Sequence, residues 1–330
     1  MFAINDPSAT YKLLWEAFEA RGYVCEDFYV HNIHYVKYTS PMGKVWLTKA
    51  EQITYPVNPA IVSTISTHKS IAYAFAERAR VSIPETIVIN SNDKIDDKAI
   101  DDLLEKHGSL IVKPENASLS RGLSINLTDK QSVFEALEMA NKFSSSLLVQ
   151  QQVAGEEIRF VILNGKVHAA MLRETAQLVG DGVSKISDLL EIENEARRGL
   201  RFTHISYPEL DDEIITKHYN RGSIPALGEV IKLASSTMIK GGASIYNVVS
   251  NVHESYIKTV VSLAKSIGAE FIVVDLFVQD YTVPQSATNA YFIEFNTAPV
   301  LKLFYGARDG VVFDAVPLIV DAIDKHLHAI

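Results

Sequence analysis

Cysteine is nearly absent from this 330-residue chain. The single thiol, Cys25, has no second cysteine to pair with, which excludes an intrachain disulfide and fits a reducing compartment. No uninterrupted apolar run is long enough to span a bilayer, and no basic stretch leads into an apolar one at the N-terminus. The expected setting is therefore the cytoplasm, with no membrane partner. Basic residues are the scarcer charge: 31 Lys and Arg against 40 Asp and Glu leave a formal charge of −9, which argues against nucleic acid as a partner. Internal repeats and low-complexity tracts are also missing. What is present is an apolar share of 47%, that of an ordinary globular protein, in a chain long enough for two or three packed units.

Two strand-like runs near the C-terminus carry acid where a strand core is normally apolar: Phe271-Ile272-Val273-Val274-Asp275-Leu276-Phe277-Val278 and Tyr291-Phe292-Ile293-Glu294-Phe295-Asn296. A buried carboxylate without a partner costs several kcal/mol, so two of them imply a compensating cation or hydrogen-bond network. One solution is pairing with arginine or lysine. The other is a bound metal, for which Asp275, Glu294 and Asn296 are the candidate ligands. Side chains alternate along a strand, so Glu294 and Asn296 share a face, roughly 7 Å apart at Cα. Oxygen-only ligands suit Mg²⁺, which usually shares its shell with phosphates and so points to a nucleotide.

A second set of residues lies upstream. The strand Leu110-Ile111-Val112-Lys113-Pro114 leads into Glu115-Asn116-Ala117-Ser118-Leu119-Ser120-Arg121-Gly122, a loop of small and hydroxylated residues able to lay N–H groups against phosphate, although ordinary turns have the same composition. A helix is expected over Gln131 to Phe143, followed by the strand Leu147-Leu148-Val149-Gln150 and then Gln151-Gln152-Val153-Ala154-Gly155-Glu156-Glu157-Ile158-Arg159. Asn164-Gly165 reads as a two-residue type I′ hairpin turn ahead of a strand ending at Arg173.

This order of lysine-proline strand, Ser/Gly loop, hinge strand, Gly-x-Glu-x-Arg hairpin and paired acid strands resembles the ATP-grasp superfamily of carboxylate–amine ligases. Further segments are similar to cyanophycin synthetases and to the ligase half of bifunctional glutathione synthetases: Val179-Gly180-Asp181-Gly182 with Arg197-Arg198-Gly199, Gly222-Ser223-Ile224-Pro225, and Lys240-Gly241-Gly242-Ala243-Ser244. The resemblance, which also extends to D-alanine–D-alanine ligases, covers roughly residues 66 to 306.

It implies an α/β fold of two lobes gripping ATP: a short N-terminal unit (1–65), a small central lobe (66–150) and a large lobe (151–330) carrying the metal and substrate sites. It also implies two Mg²⁺ ions, with Mn²⁺ as a substitute, on Asp275, Glu294 and Asn296. ATP contacts are implied for Lys69, Lys113, Ser118, Ser120, Gly122, Gln150, Gln151, Val153 and Glu157, the last at the ribose. Arg173, Lys113 and Ser120 take the catalytic positions, with Arg173 facing the transferred phosphoryl group. Arg173, Gly241, Gly242, Ala243 and Lys302 fall where relatives meet the substrate. For Arg173 a solvent-exposed strand cap is the alternative, and for the Gly241 segment a turn preceding a helix.

The chain departs from the family pattern at four positions. Gln150 stands where relatives carry an acid, Gln152 where they carry a hydrophobe, Tyr73 where many have a second lysine, and Val300 where glycine follows the proline. The implied activity joins an amino-acid or peptide carboxylate to an amine through an acyl phosphate, releasing ADP and phosphate. The alternatives are a ligase acting on a protein or polymer terminus and a nucleotide-binding module without turnover. A homodimer is the expected assembly by analogy.

Overall fold

The computed structural model describes residues 8–90, 93, 95–117, 121–200, 202, 206–210, 219–234, 237 and 239–329. The chain opens with helix α1 (Ser8–Glu19), closed by Gly22 at φ 78°, and an antiparallel sheet of β1 (Val24–Val30), β2 (Ile33–Thr39) and β3 (Val45–Lys49). Alternation along these strands turns Val36, Tyr38 and Trp46 inward, where Phe18 of α1 packs 4.9 Å from Tyr38 and Tyr38 stacks on Trp46 at 4.8 Å. Cys25 lies half-buried in β1, where burial and the nearby Glu19 push its thiol up to about 11. Its alkylation by iodoacetamide is therefore expected to run about a hundredfold slower than for a free cysteine at pH 7.5, and to climb about tenfold per pH unit without levelling near 9. Stopped-time labelling with mass detection reads this directly.

Helices α2 (Ala60–Thr67) and α3 (Lys69–Arg78) follow. The next unit is β4 (Thr86–Asn90), α4 (Asp97–His107), β5 (Leu110–Pro114), β6 (Ser124–Leu127), α5 (Lys130–Ala140) and β7 (Ser146–Gln151). Its four strands pair antiparallel in the order β4-β7-β5-β6, and α4 and α5 bury Ile100, Leu103, Val133 and Leu137 against them. Both helices start on an aspartate cap: Asp96 accepts from the N–H groups of Lys98 and Ala99, and Asp129 from that of Ser132. Strand β6, which the sequence pattern leaves in the loop, forms the edge beside β5.

The remainder carries β8 (Glu156–Leu163), β9 (Lys166–Glu174), β10 (Gln177–Val179), α6 (Ile186–Gly199), β11 (Val230–Lys232), β12 (Ser244–Asn247), α7 (Glu254–Ser266), β13 (Phe271–Val278), β14 (Ala290–Asn296) and α8 (Ala315–Ala329). Five strands form the large antiparallel sheet, ordered β12-β9-β8-β13-β14. The β8–β9 turn has Asn164 and Gly165 at φ 51° and 70°, the left-handed pair that a type I′ turn demands. One face of this sheet, with Phe160, Ile162, Val274 and Leu276, is covered by α2, α3 and α7. The other face, with Val161, Ala169 and Val273, packs on α8 and shares a single core with the N-terminal unit. Asn58 fastens that junction: its side chain accepts from the N–H groups of Glu270 and Phe271 at 2.9 Å each and donates to the Phe271 carbonyl at 2.7 Å.

Candidate active site

Strand register decides which charges meet. Asp275 lies opposite Glu294 on β14 and Arg159 on β8, and two residues along β8 Glu157 lies opposite Arg173 on β9. Because side chains alternate, all five emerge on one face, while Ile158, Phe160, Val274 and Leu276 fill the other. A register irregularity after Asp275 shifts the pairing by one residue, bringing Phe292 opposite Leu276, and the ladder continues to Val278 and Ala290.

The cluster is densely paired. Arg159 Nη2 donates to Asp275 Oδ2 at 2.5 Å and lies 3.7 Å from Glu157 and 3.9 Å from Glu294. Arg173 Nη1 donates to Glu157 Oε1 at 3.2 Å, and the Thr237 hydroxyl donates to Glu157 Oε2. The anticipated alternative of an acid paired with arginine is thus realised at Asp275, but incompletely: Asp275 Oδ1 and Arg159 Nε are buried with no partner. Burial outweighs Arg159, a guanidinium shared among three carboxylates, and pushes the Asp275 carboxyl up to about 7. At Glu157 burial acts in the same sense, yet Arg173 and Arg159 together hold its carboxyl below the ordinary range. Arg173 is itself lowered by burial and by neighbouring Arg159. It is enclosed in this cluster and is not a strand cap in solvent.

The opposite wall comes from α3 and the four-stranded sheet. Lys69 Nζ donates to the carbonyls of Glu115 and Ala117 at 3.2 and 3.0 Å and lies 3.9 Å from Glu294 Oε2, so it bridges the loop after β5 and the acid pair. Burial lowers its ammonium, with Glu294 opposing. Ser70 donates to the Glu115 carboxylate. Neither Ser70 nor Glu115 stood out in the sequence, although Glu115 directly follows the Lys113-Pro114 signal. Lys113 donates to the Tyr73 hydroxyl at 3.0 Å, and Gln150 donates to the same oxygen at 3.1 Å.

The other expected residues are placed less uniformly. Ser118 and Ser120 lie outside the described residues. Gly122 has φ 73°, and a Cβ there would meet Pro114 and Phe143 at 2.8 Å, which explains glycine at the end of that loop. Gln151 continues β7, with its backbone N–H donating to the Glu85 carbonyl at 2.9 Å, and Val153 lies half-buried in the hinge before β8. Gln152 is tied to Asn126 of β6, accepting from its N–H at 2.7 Å. Gly241 closes a short 3-10 turn, and Gly242 and Ala243 lead into strand β12, so this segment does not run directly into a helix. Lys302 and Arg197 are both buried: Lys302 is 0% exposed, and Arg197 is paired to Glu193 at 2.7 Å. The substrate role expected for Lys302 is not supported by that position, because a fully enclosed ammonium presents nothing to a cleft. Around Arg159 and Arg173 a small recess opens whose other walls are apolar, including Met171, Ile245, Val300 and Phe304.

Among the described residues no three His, Cys, Asp or Glu side chains gather into a metal cluster. The expected set instead offers two carboxylates and an amide. Asp275 and Glu294 face each other across adjacent strands, and Asp275 has a buried oxygen with no partner, as a site for a hard cation requires. Asn296 Oδ1 accepts from the N–H of Ala298 at 3.0 Å, so its carbonyl is already partly used. Two carboxylates and an amide are oxygen donors of the kind that suits a hard cation such as Mg²⁺.

No protein-family model matches the chain. The glutathione biosynthesis bifunctional protein of Pasteurella multocida is 24% identical over 252 residues, covering 72% of this chain and 33% of that protein. Cyanophycin synthetase of Trichormus variabilis is 24% identical over 251 residues, covering 74% and 27%. The chain thus spans about a third or less of the length of these relatives. Among solved structures, a bifunctional glutathione synthetase from Pasteurella multocida superposes with a TM-score of 0.64 at 20% identity, covering 96% of this chain and 44% of that one. The D-alanine–D-alanine ligase of Bacillus anthracis complexed with ATP gives 0.51 at 16% identity, covering 82% and 69%.

Proposed function

We propose that this chain, whose fold is that of the ATP-grasp ligases, joins a carboxylic acid to an amine at the expense of ATP. The observation that carries the reading is the Asp275–Glu294 pair, with its unpartnered buried oxygen, set beside two buried arginines and facing Lys69. A carboxylate is a poor acyl donor. Transfer of the γ-phosphoryl group of ATP to its oxygen gives an acyl phosphate and ADP, and attack by the amine then breaks the acyl–oxygen bond, forming the amide and releasing phosphate and a proton.

The protein's part is mainly positioning and neutralisation. Asp275, Glu294 and Asn296 would hold the divalent cations, two in this reading, which offset charge on the phosphate oxygens. Lys69 and Lys113 would neutralise phosphate from the small-lobe side, with Ser118, Ser120 and Gly122 closing over it. Gln150, Gln151 and Val153 would line the base. Arg173 would face the transferred group. In the ligand-free arrangement Glu157 is committed to Arg173 and Thr237, so its proposed ribose contact requires that pair to loosen when nucleotide enters. Gly241, Gly242 and Ala243 would border the substrate through β12.

The test is ADP and phosphate release from purified protein with ATP and Mg²⁺, screened over amino acids singly and in pairs with mass detection. ADP together with a new amide mass is the expected result. AMP with pyrophosphate would replace the acyl phosphate by an adenylate, and tight ATP binding with no ADP across the screen and across peptide acids would leave a binding module.

A further inference from the structure

Of the two faces of the β1–β2–β3 sheet, one carries Val36, Tyr38 and Trp46 into the core. On the other, Val24, Phe28 and Val30 of β1, Ile33 of β2, and Val45 and Leu47 of β3 stand side by side, brought together by register and alternation. All six are between 40% and 61% exposed. The Phe28 ring stacks on that of Tyr35 beside it at 5.9 Å and 17°. Among the outward positions of these strands, only Glu26, Lys37, Thr39 and Lys49 interrupt the apolar surface. An antiparallel sheet with one face in water normally alternates apolar with polar residues. Here both faces are apolar, the pattern of a sheet packed on both sides, yet these outward side chains remain open to solvent.

The size of the patch and its charge say what fits it. At these exposures the six side chains present about 500 Å² of apolar surface, as much as the largest patch on an ordinary monomer. With Tyr35 and the four polar residues between them, a face-to-face contact would cover about 800 Å² on each copy, which is what a stable dimer needs. Three strands spaced at about 4.8 Å make the face broader than one extended peptide covers, whereas an identical three-stranded face matches it. The chain carries −9 overall, so two copies repel over most of their surface. This face is different: its one acid, Glu26, is paired to Lys37 at 2.8 Å, and Lys49, at the end of edge strand β3, adds a positive charge on the rim. Two such faces meet without acid against acid.

We propose that this face is where two copies of the chain join, sheet packed on sheet across a twofold axis. Asp275, Glu294, Arg159 and Arg173 lie on other strands, so each copy keeps its own site.

The experiment is sedimentation equilibrium of the full chain between about 1 and 100 µM, with circular dichroism on the same samples. The wild-type chain is expected at twice the mass of one copy. Leu47→Glu puts a carboxylate on the face opposite Lys37, its register partner, so the fold can pair the new charge. Val30→Glu tests the far end of the same face independently. Each is expected to raise the dimer Kd by about a hundredfold or more with unchanged dichroism, because a symmetric contact takes the buried charge twice. Val183→Glu, at a residue 77% exposed outside this sheet, is expected to leave the dimer intact. A wild-type chain that stays monomeric across the range would overturn the proposal and leave the face to a different protein. Dimers that survive both Leu47→Glu and Val30→Glu would overturn it as well, by moving the contact to another surface.

Discussion

Replacing Asp275 with asparagine is expected to lower turnover by about a thousandfold while leaving the protein folded. A divalent cation on phosphoryl oxygens contributes several kcal/mol to the transition state, and each 1.4 kcal/mol is a factor of about ten in rate. Asparagine keeps the shape and one acceptor oxygen but loses the charge a cation requires. Loss of folding is not the expected outcome, because burial already pushes Asp275 up to about 7 and a neutral side chain is tolerated there. Arg159 also retains Glu157 and Glu294 at 3.7 and 3.9 Å. The decisive measurements are the Mg²⁺ dependence of ADP release and a thermal melt on the same sample. A variant that still responds to Mg²⁺ as the wild type does would remove Asp275 from the cation site. One that melts far lower would assign the residue to the fold alone.

The second large effect is expected at Arg173. Substitution by methionine deletes the guanidinium that holds Glu157 at 3.2 Å and leaves that buried carboxylate to Arg159 at 3.7 Å. If Arg173 meets charge that develops only during phosphoryl transfer, kcat and kcat/KM should fall together by about a hundred- to a thousandfold, with the KM for ATP changing little. Stability should fall as well, by about 3 kcal/mol, because one partner of a buried pair is gone. Arg173→Lys separates the two effects. It keeps a charge near Glu157 and most of the stability, but lysine offers a compact ammonium in place of a planar fork, so the rate defect should persist in part. A methionine variant with normal kcat and a lowered melting temperature would mark the arginine as structural.

The legible parts of this chain were those set by local pattern. Acid within an apolar strand, Asn-Gly between two alternating runs, and a strand stopped at Lys113-Pro114 each have a local physical cause, and β13, β14, the β8–β9 hairpin and β5 lie where those causes place them. What was not legible depends on register and long-range packing. That Asp275 faces Arg159 and Glu157 faces Arg173 follows from how three strands align, and a one-residue slip would have sent each side chain to the opposite face. The Tyr73–Gln150 contact joins residues 77 apart in the chain, and each alone reads only as a departure from pattern. Strand β6 is four residues long and lacks a distinctive period of its own. The enclosure of Lys302 was not legible either, because lysine is rarely buried, yet the 3-10 turn that carries it folds it inward.

The shared core between the N-terminal unit and the large sheet bears on modularity. Residues 1–65 look like a detachable opening segment along the chain, but Phe18, Trp46 and Tyr55 belong to the same apolar body as Phe271, Val273 and Phe304. Cutting at that point would strip cover from the face of β13 that also bears Asp275 and expose Phe271, against which Tyr55 sits edge-on at 4.7 Å. Recombining residues 66–330 with another protein's opening segment would therefore require re-matching an interior, and grafts that preserve the Tyr55, Asn58 and Phe271 contacts should be the ones that survive.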